Sequence, residues 1–244
     1  MNRIALMVML ITVLPGCAVF GQIAPADSAF RAHAIQYAHT SYVRSTKDQA
    51  RFYNGAEYVG HLSRIKGHPY LDSLWQVGTL TYDGVTYQNV GLQYDLVNDV
   101  VVVTHIDSVY RIQLQSIKVS RFSIPNHTVV RIVNDTTTRD IGLRTGFYEQ
   151  LYDGRSKVVA RRVKTIKTDY SQNVVKEEYL SENNYYIGKN GRYFPVKTKR
   201  SVLNLLADQK KLLRKYMREN RINFRANRET ALVKLTQQYD ALSR

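Results

Sequence analysis

The chain has 244 residues, 44% of them hydrophobic, and a formal net charge of +15. This length is sufficient for one sizeable buried core, and the single cysteine excludes an intramolecular disulfide and a site with several thiolate ligands. Residues 22–154 contain 12 Lys/Arg and 12 Asp/Glu, whereas residues 155–244 contain 22 and 8. The positive charge therefore belongs to the C-terminal part, where either a negatively charged partner or an ordinary solvated surface would account for it.

Residues 1–21 predict a secretory signal peptide. Arg3 gives a positive start, residues 4–14 form an apolar run too short to span a bilayer, and small residues follow. We expect cleavage after Gly21 and export through the inner membrane to the periplasm, the outer membrane or the cell exterior. The "LPGC" stretch also permits a lipoprotein anchored at Cys17, which is the less favoured alternative. The mature chain is predicted to have no transmembrane span.

Residues 22–55 predict an N-terminal helical segment. Phe30, Ala34, Ile35 and Ala38 recur at helical spacing. The "YNG" turn signal at 53–55 ends this segment.

Residues 56–198 predict a mainly β domain, because the hydrophobic period changes to two. Turn dipeptides lie between the apolar runs at Asp83-Gly84, Asn98-Asp99, Asp153-Gly154 and Asn190-Gly191. Their spacing predicts ten or more short strands in an antiparallel meander, folded as a sandwich or as a curled barrel-like sheet.

Residues 199–244 predict a helical tail of two amphipathic helices packed on the β domain. Ser201 is expected to cap the first helix and Asn227 the last. The residues that we call the tail cations fall mostly opposite the apolar face and are the predicted anion contacts: Lys210, Lys211, Arg214 and Lys215.

The sequence contains no recognisable catalytic motif and predicts neither a metal nor a cofactor. His61 and His68 could share a site with His105 only if folding brought them together. Several carboxylates, including Asp95 and Glu149, lie in or beside the β region and could form a glycosidase-like pair. Because many of the Asp residues occupy turns, a structural role is favoured, and catalytic residues are left unassigned.

Aromatic residues give the other candidate site. The chain has 18 tyrosines and one tryptophan, and such rings can stack on sugars or grip peptides. They also stabilise half-buried sheet faces, which is the favoured interpretation. If the domain binds a ligand, Trp75, Tyr70, Tyr82 and Tyr87 are the predicted contacts.

Three stretches carry a resemblance: "RFYNGAEYVGH" with the following "IKGHPYLDSLWQVGTLTYDGVTYQNVGLQYDLVND", "GFYEQLYDG", and "LLADQKKLLRKYMRENRINFRANRETALVKL". In these stretches, spread over nearly all of the mature chain, the protein resembles an uncharacterised family of exported proteins from Gram-negative bacteria. The resemblance implies an exported location and a chain that forms one unit. It implies no activity, cofactor or site residue.

These features predict an exported cell-envelope protein that acts as a non-enzymatic binding or structural accessory. The expected partner is an anionic envelope component or an envelope protein, and not nucleic acid, because export removes that partner. The alternative is a carbohydrate- or peptide-acting hydrolase that uses a carboxylate or histidine site. The oligomeric state is left open.

Overall fold

The computed structural model describes residues 53–104, 110–134, 142–170 and 175–243, together with 30–31, 33–35 and 37–38. The chain divides into two compact units, residues 1–45 and 46–244. In the first unit the described residues are helical, and the longest described run is residues 33–35. The predicted signal peptide, with Cys17, lies outside the described residues.

The second unit is built on an antiparallel sheet. Its eleven described strands are β1 (Ala56–Glu57), β2 (Gln76–Tyr82), β3 (Val85–Asp95), β4 (Val100–Thr104), β5 (Arg111–Gln113), β6 (Val119–Ile124), β7 (His127–Ile132), β8 (Gly146–Asp153), β9 (Lys157–Asp169), β10 (Lys176–Lys189) and β11 (Arg192–Pro195). Their order in the sheet is β1-β5-β4-β3-β2-β6-β7-β8-β9-β10-β11. Most neighbours in the sheet are therefore also consecutive in sequence, which confirms the predicted meander.

The turn dipeptides form the predicted hairpins. Asp83 and Gly84 join β2 to β3 with φ angles of 52° and 78°, and Asn190 and Gly191 join β10 to β11 with φ angles of 53° and 74°. Two consecutive positive φ angles are the requirement of a type I′ turn, which asparagine, aspartate and glycine meet at low cost.

The sheet curls so that distant strands face one another. Tyr94 of β3, Phe122 of β6 and Phe147 of β8 contact edge to face, with ring centroids 5.3–5.9 Å apart. At the rim, Arg161 of β9 pairs with Asp99 of the β3–β4 turn at 3.2 Å. The sheet does not close, because β1 and β11 remain at its two edges. The predicted fold class is confirmed, with a curled open sheet as its form.

The tail forms helices α1 (Lys199–Leu205), α2 (Lys210–Glu219) and α3 (Arg228–Leu242), with a short 3-10 helix at Ala207–Gln209 between α1 and α2. They cover one face of the sheet: Val158 and Ile187 of β9 and β10 share a buried cluster with fully buried leucines from the tail and its connections, namely Leu206, Leu213, Leu232 and Leu235. Each such leucine contributes roughly 1.5–3 kcal/mol by burial, so this cluster holds the tail on the sheet.

The helix caps agree in part with the sequence. Asn227 caps α3, because its side chain accepts a hydrogen bond from the Thr230 N–H at 3.0 Å. The cap of α1 is Thr198 and not Ser201, and the two residues form a reciprocal capping box. None of the described helices is long and apolar enough to cross a membrane.

Candidate functional site: a basic groove in the helical tail

A groove lies between α1 and α2. It has a volume of about 630 Å³ and is lined by six residues, which define what we call the basic groove: Lys199, Arg200, Leu203, Asn204, Lys210 and Arg214. Four of these six residues are cationic and none is acidic. The lining is therefore an electrostatic site for a negatively charged group.

The groove exists because the helix breaks after α1. Leu206 and Leu213 are completely buried on either side of the break, so both helices keep their apolar sides on the sheet. Asp208, in the 3-10 helix, is held by Tyr239 of α3 at 2.9 Å and by Lys189 of β10 at 3.1 Å. These long-range contacts fix the turn that brings α2 back beside α1.

Hydrogen bonding makes the lining a surface of donors. Lys210 Nζ donates to Asn204 Oδ1 at 2.9 Å, which uses the acceptor atom of that amide and leaves its NH₂ group as a donor. Lys and Arg side chains have no acceptors. Every polar side chain in the lining therefore offers hydrogen-bond donors to a ligand, and a ligand rich in acceptor oxygens matches it.

The structure divides the tail cations. Lys210 and Arg214 line the basic groove. Lys211 is exposed outside the lining, and Lys215 pairs with Glu219 at 3.7 Å along the same helix. Lys199 and Arg200 complete the groove. The sequence analysis did not name them as anion contacts, although the excess of basic residues after residue 155 includes them.

The structure places the four aromatic candidates in two locations. Trp75 and Tyr70 are half-buried against a small cluster with Tyr58, and the Arg111 guanidinium lies 5.9 Å from the Trp75 ring. Tyr82 and Tyr87 are buried in the sheet core, with 1% and 5% of their surface exposed. Trp75 and Tyr70 therefore come together at one cluster. Ligand binding by the four aromatic residues stays a prediction.

A buried carboxylate at the end of β3 organises the segment before β2. Asp95 is fully buried, and its Oδ2 accepts hydrogen bonds from Tyr58 at 2.9 Å and from His61 Nε2 at 2.7 Å. Its Oδ1 accepts from the Val97 and Asn98 backbone N–H groups. Burial alone would raise the pKa of Asp95, but these hydrogen bonds lower it below its ordinary value.

Lys164 anchors the same segment from β9. Its ammonium donates to the carbonyl oxygens of His68 and Tyr70, both at 2.8 Å. Burial lowers the pKa of Lys164, and burial together with the Lys164 charge lowers the pKa of His68. These contacts give His61, His68 and Asp95 a structural task, which is to hold the segment of residues 58–72 on the sheet.

A second buried network joins the sheet to the tail. Glu149 of β8 is 4% exposed and contacts His127 of β7 at 2.6 Å and Arg162 of β9 at 2.5 Å. Arg162 also pairs with Glu229 of α3 at 2.8 Å. Burial acts to lower the pKa of Arg162, but the charge of Glu149 and the hydrogen bonds to both glutamates raise it overall.

The two carboxylate–histidine pairs do not form a common site. His61–Asp95 and His127–Glu149 are held by different strands, and each carboxylate is occupied by its own donors. Neither pair lines the basic groove, the cavity of about 320 Å³ beside Arg64, or the cavity of about 230 Å³ beside Tyr152. Among the described residues, no group of three or more His, Cys, Asp or Glu side chains is placed to hold a metal ion.

Comparisons with family models, with curated proteins and with solved structures each found no match to this chain. The resemblance to exported proteins of Gram-negative bacteria therefore stays a prediction from the sequence.

Proposed function

We propose that this protein is a non-enzymatic binding accessory of the bacterial cell envelope, which recruits an anionic envelope component through the basic groove. One observation carries the proposal: four cations from two helices converge on a groove of about 630 Å³ without a carboxylate in its lining. Charges of one sign that converge in a concave surface repel one another, and a bound anion relieves that repulsion.

The convergence of the four cations distinguishes the groove from an ordinary solvated surface. Elsewhere in the tail, Lys215 pairs with Glu219, whereas the exposed Lys211 and Arg218 form no ion pair within the part of the chain that the structure describes. The cations of the groove form no ion pair with any residue that the structure describes. The export signal predicted in residues 1–21 would place this groove where anionic lipids and polymers are abundant.

The test is co-sedimentation of the purified protein with isolated bacterial envelopes. The groove variant replaces Lys199, Arg200, Lys210 and Arg214 by glutamine. The control variant makes the same change of charge outside the groove, at the exposed Lys197, Lys211, Lys215 and Arg218.

We expect the wild type and the control to bind at about 50 mM salt and to dissociate largely at about 300 mM, because salt screens exposed charges. The groove variant should not bind at either concentration. If the groove variant and the control lose binding equally, the attraction is a property of net charge, and the proposed function is wrong.

The alternative, a carbohydrate- or peptide-acting hydrolase, has the His61–Asp95 pair as its best candidate. A buried aspartate that orients a histidine is a feature of some general bases. However, Asp95 also binds Tyr58 and two backbone N–H groups, which suits an anchor. The hydrolase hypothesis predicts that His61→Ala abolishes an activity while the segment of residues 58–72 stays folded.

A further inference from the structure

We infer that the ligand of the basic groove carries two phosphate groups, an inference that rests on the proposed function. The lining offers hydrogen-bond donors and cations with one apolar side chain, Leu203. Such a lining favours ligands that present several negatively charged oxygens close together. It disfavours neutral sugars and zwitterionic groups, because neither neutralises four converging cations.

The charge of the lining decides between phosphates and carboxylates. A phosphate monoester carries about −1.5 to −2 at neutral pH, so two of them supply about −3 to −4. This total matches the four positive charges of Lys199, Arg200, Lys210 and Arg214. A carboxylate supplies a single negative charge, so four carboxylates would have to fit into the same groove.

The arrangement of the cations is also divided in two. Helix α1 contributes Lys199 and Arg200, and α2 contributes Lys210 and Arg214 one helical turn apart. Each helix thus presents one guanidinium, which binds phosphate oxygens in a bidentate manner, and one ammonium, which acts as a point charge. Two phosphates, one held mainly by each helix, would use all four cations.

The size of the groove agrees with two phosphates joined by a small scaffold. A volume of about 630 Å³ lies within the range of sites for small organic ligands, and a single inorganic phosphate would leave most of it to water. Two sources share this chemistry: a soluble sugar bisphosphate and a membrane lipid whose headgroup bears phosphate monoesters. The experiment has one arm for each source.

In the soluble arm, calorimetric titrations at constant ionic strength compare fructose 1,6-bisphosphate, glucose 6-phosphate and citrate. We expect the bisphosphate to bind at least about tenfold more tightly than the other two, since one additional charge-assisted phosphate contact is worth at least this factor. Citrate tests whether charge alone is sufficient, because its three carboxylates approach the charge of the bisphosphate.

In the membrane arm, vesicles of phosphatidylcholine with phosphatidic acid are compared with vesicles containing phosphatidylglycerol. Phosphatidic acid presents one phosphate monoester per molecule, so in this arm the two phosphates of the groove come from two neighbouring lipids, whereas phosphatidylglycerol presents only a diester. If the vesicles with phosphatidic acid retain more protein than those with phosphatidylglycerol, and the groove variant loses this retention, the source of the phosphates is a lipid. Binding of fructose 1,6-bisphosphate without that preference identifies a soluble source.

Two single variants and one control locate the binding. Arg200→Gln and Arg214→Gln should each lower the affinity for the phosphate probe that binds most tightly by about tenfold, because each variant removes the guanidinium of one helix. Lys211→Gln removes a neighbouring exposed charge outside the lining and should leave the affinity almost unchanged. Equal losses in all three variants would overturn the assignment of phosphate to the groove.

The failures of the two proposals differ. If citrate binds as tightly as fructose 1,6-bisphosphate and the vesicles are not distinguished, the phosphate inference is wrong, while the proposed anion-binding function survives. If no anionic probe binds in a groove-dependent manner, both are wrong.

Discussion

Arg162 links the sheet to the tail through ion pairs with one glutamate on each side. It is 14% exposed and bridges Glu149, which is 4% exposed, to Glu229 at the start of α3. Replacement by methionine keeps much of the side-chain volume but leaves Glu149 buried, with His127 as its remaining partner among the residues that the structure describes. Removing one member of a buried ion pair costs about 3–5 kcal/mol, because the remaining charge is uncompensated. We expect Arg162→Met to lower the free energy of unfolding by that amount.

Equilibrium unfolding in urea, followed by circular dichroism, measures this loss. Lys157→Met is the matched control, since its partner Asp153 lies on the same sheet but both side chains are about half exposed, and such pairs contribute about 0–1 kcal/mol. Adding Glu149→Gln to Arg162→Met should recover part of the loss, because the buried charge is then removed. A loss below about 1 kcal/mol for Arg162→Met, or no recovery in the double variant, would refute the reasoning.

Three further predictions concern the tail, the segment before β2 and the export signal. Leu213→Asp should prevent stable folding, because Leu213 is completely buried and an unpaired carboxylate there is very costly. Neutralising the four tail cations should shift the melting temperature by only a few degrees. A greater loss of stability in the neutralised variant than in Leu213→Asp would contradict this prediction. Hydrogen bonds hold the pKa of Asp95 below its ordinary value of 3.8, so the Asp95 anion stabilises the fold above that pH, and this stabilisation is lost as the pH falls below it. In urea titrations, Asp95→Asn should be less stable than the wild type at neutral pH, and its free energy of unfolding should depend less on pH in the acidic range. Parallel pH profiles of the two proteins would count against this prediction. Since residues 1–21 are predicted to be removed as a signal peptide, mass spectrometry of the protein purified from its bacterial host should find Gln22 as its first residue, and a lipid-modified Cys17 would establish the lipoprotein alternative.

The sheet could be predicted from local chemistry. Dipeptides such as Asp83-Gly84 and Asn190-Gly191 adopt positive φ angles easily, and the residues around them alternate with period two. These signals depend only on neighbours in sequence, so they survive without knowledge of the tertiary structure. The predicted β domain, residues 56–198, contains all the strands of the sheet, which run from Ala56 to Pro195.

The positions of the aromatic side chains could not be predicted in the same way. Alternation shows that Tyr82 and Tyr87 point to a face of the sheet, but it does not show which faces the curling of the sheet buries. Tyr82 lies in the core, whereas Trp75, which precedes β2, lies at the half-buried cluster around Tyr58. The curl depends on contacts between distant strands, such as those of Tyr94 with Phe147, and no local pattern encodes them.

The basic groove shows the same limit more sharply. In one continuous helix, Lys199 and Lys210 would lie on the same face but about 16 Å apart along the axis, at 1.5 Å per residue. The sequence period alone therefore does not bring these two cations together. It contains no clear sign of the break at Ala207–Gln209 that converts a long basic stripe into a concave site.

The position of Asp208 explains why the groove formed at the break carries only positive charge. Asp208 is the acid closest to the groove in sequence, and within the lining it would cancel one of the four cations. Lys189 and Tyr239, from β10 and α3, instead bind its two carboxylate oxygens, and although burial alone would raise the pKa of Asp208, these hydrogen bonds lower it. The charge of the groove is therefore set by the packing of the tail on the sheet, and a variant that loosens this packing should weaken anion binding even if every cation of the lining is retained.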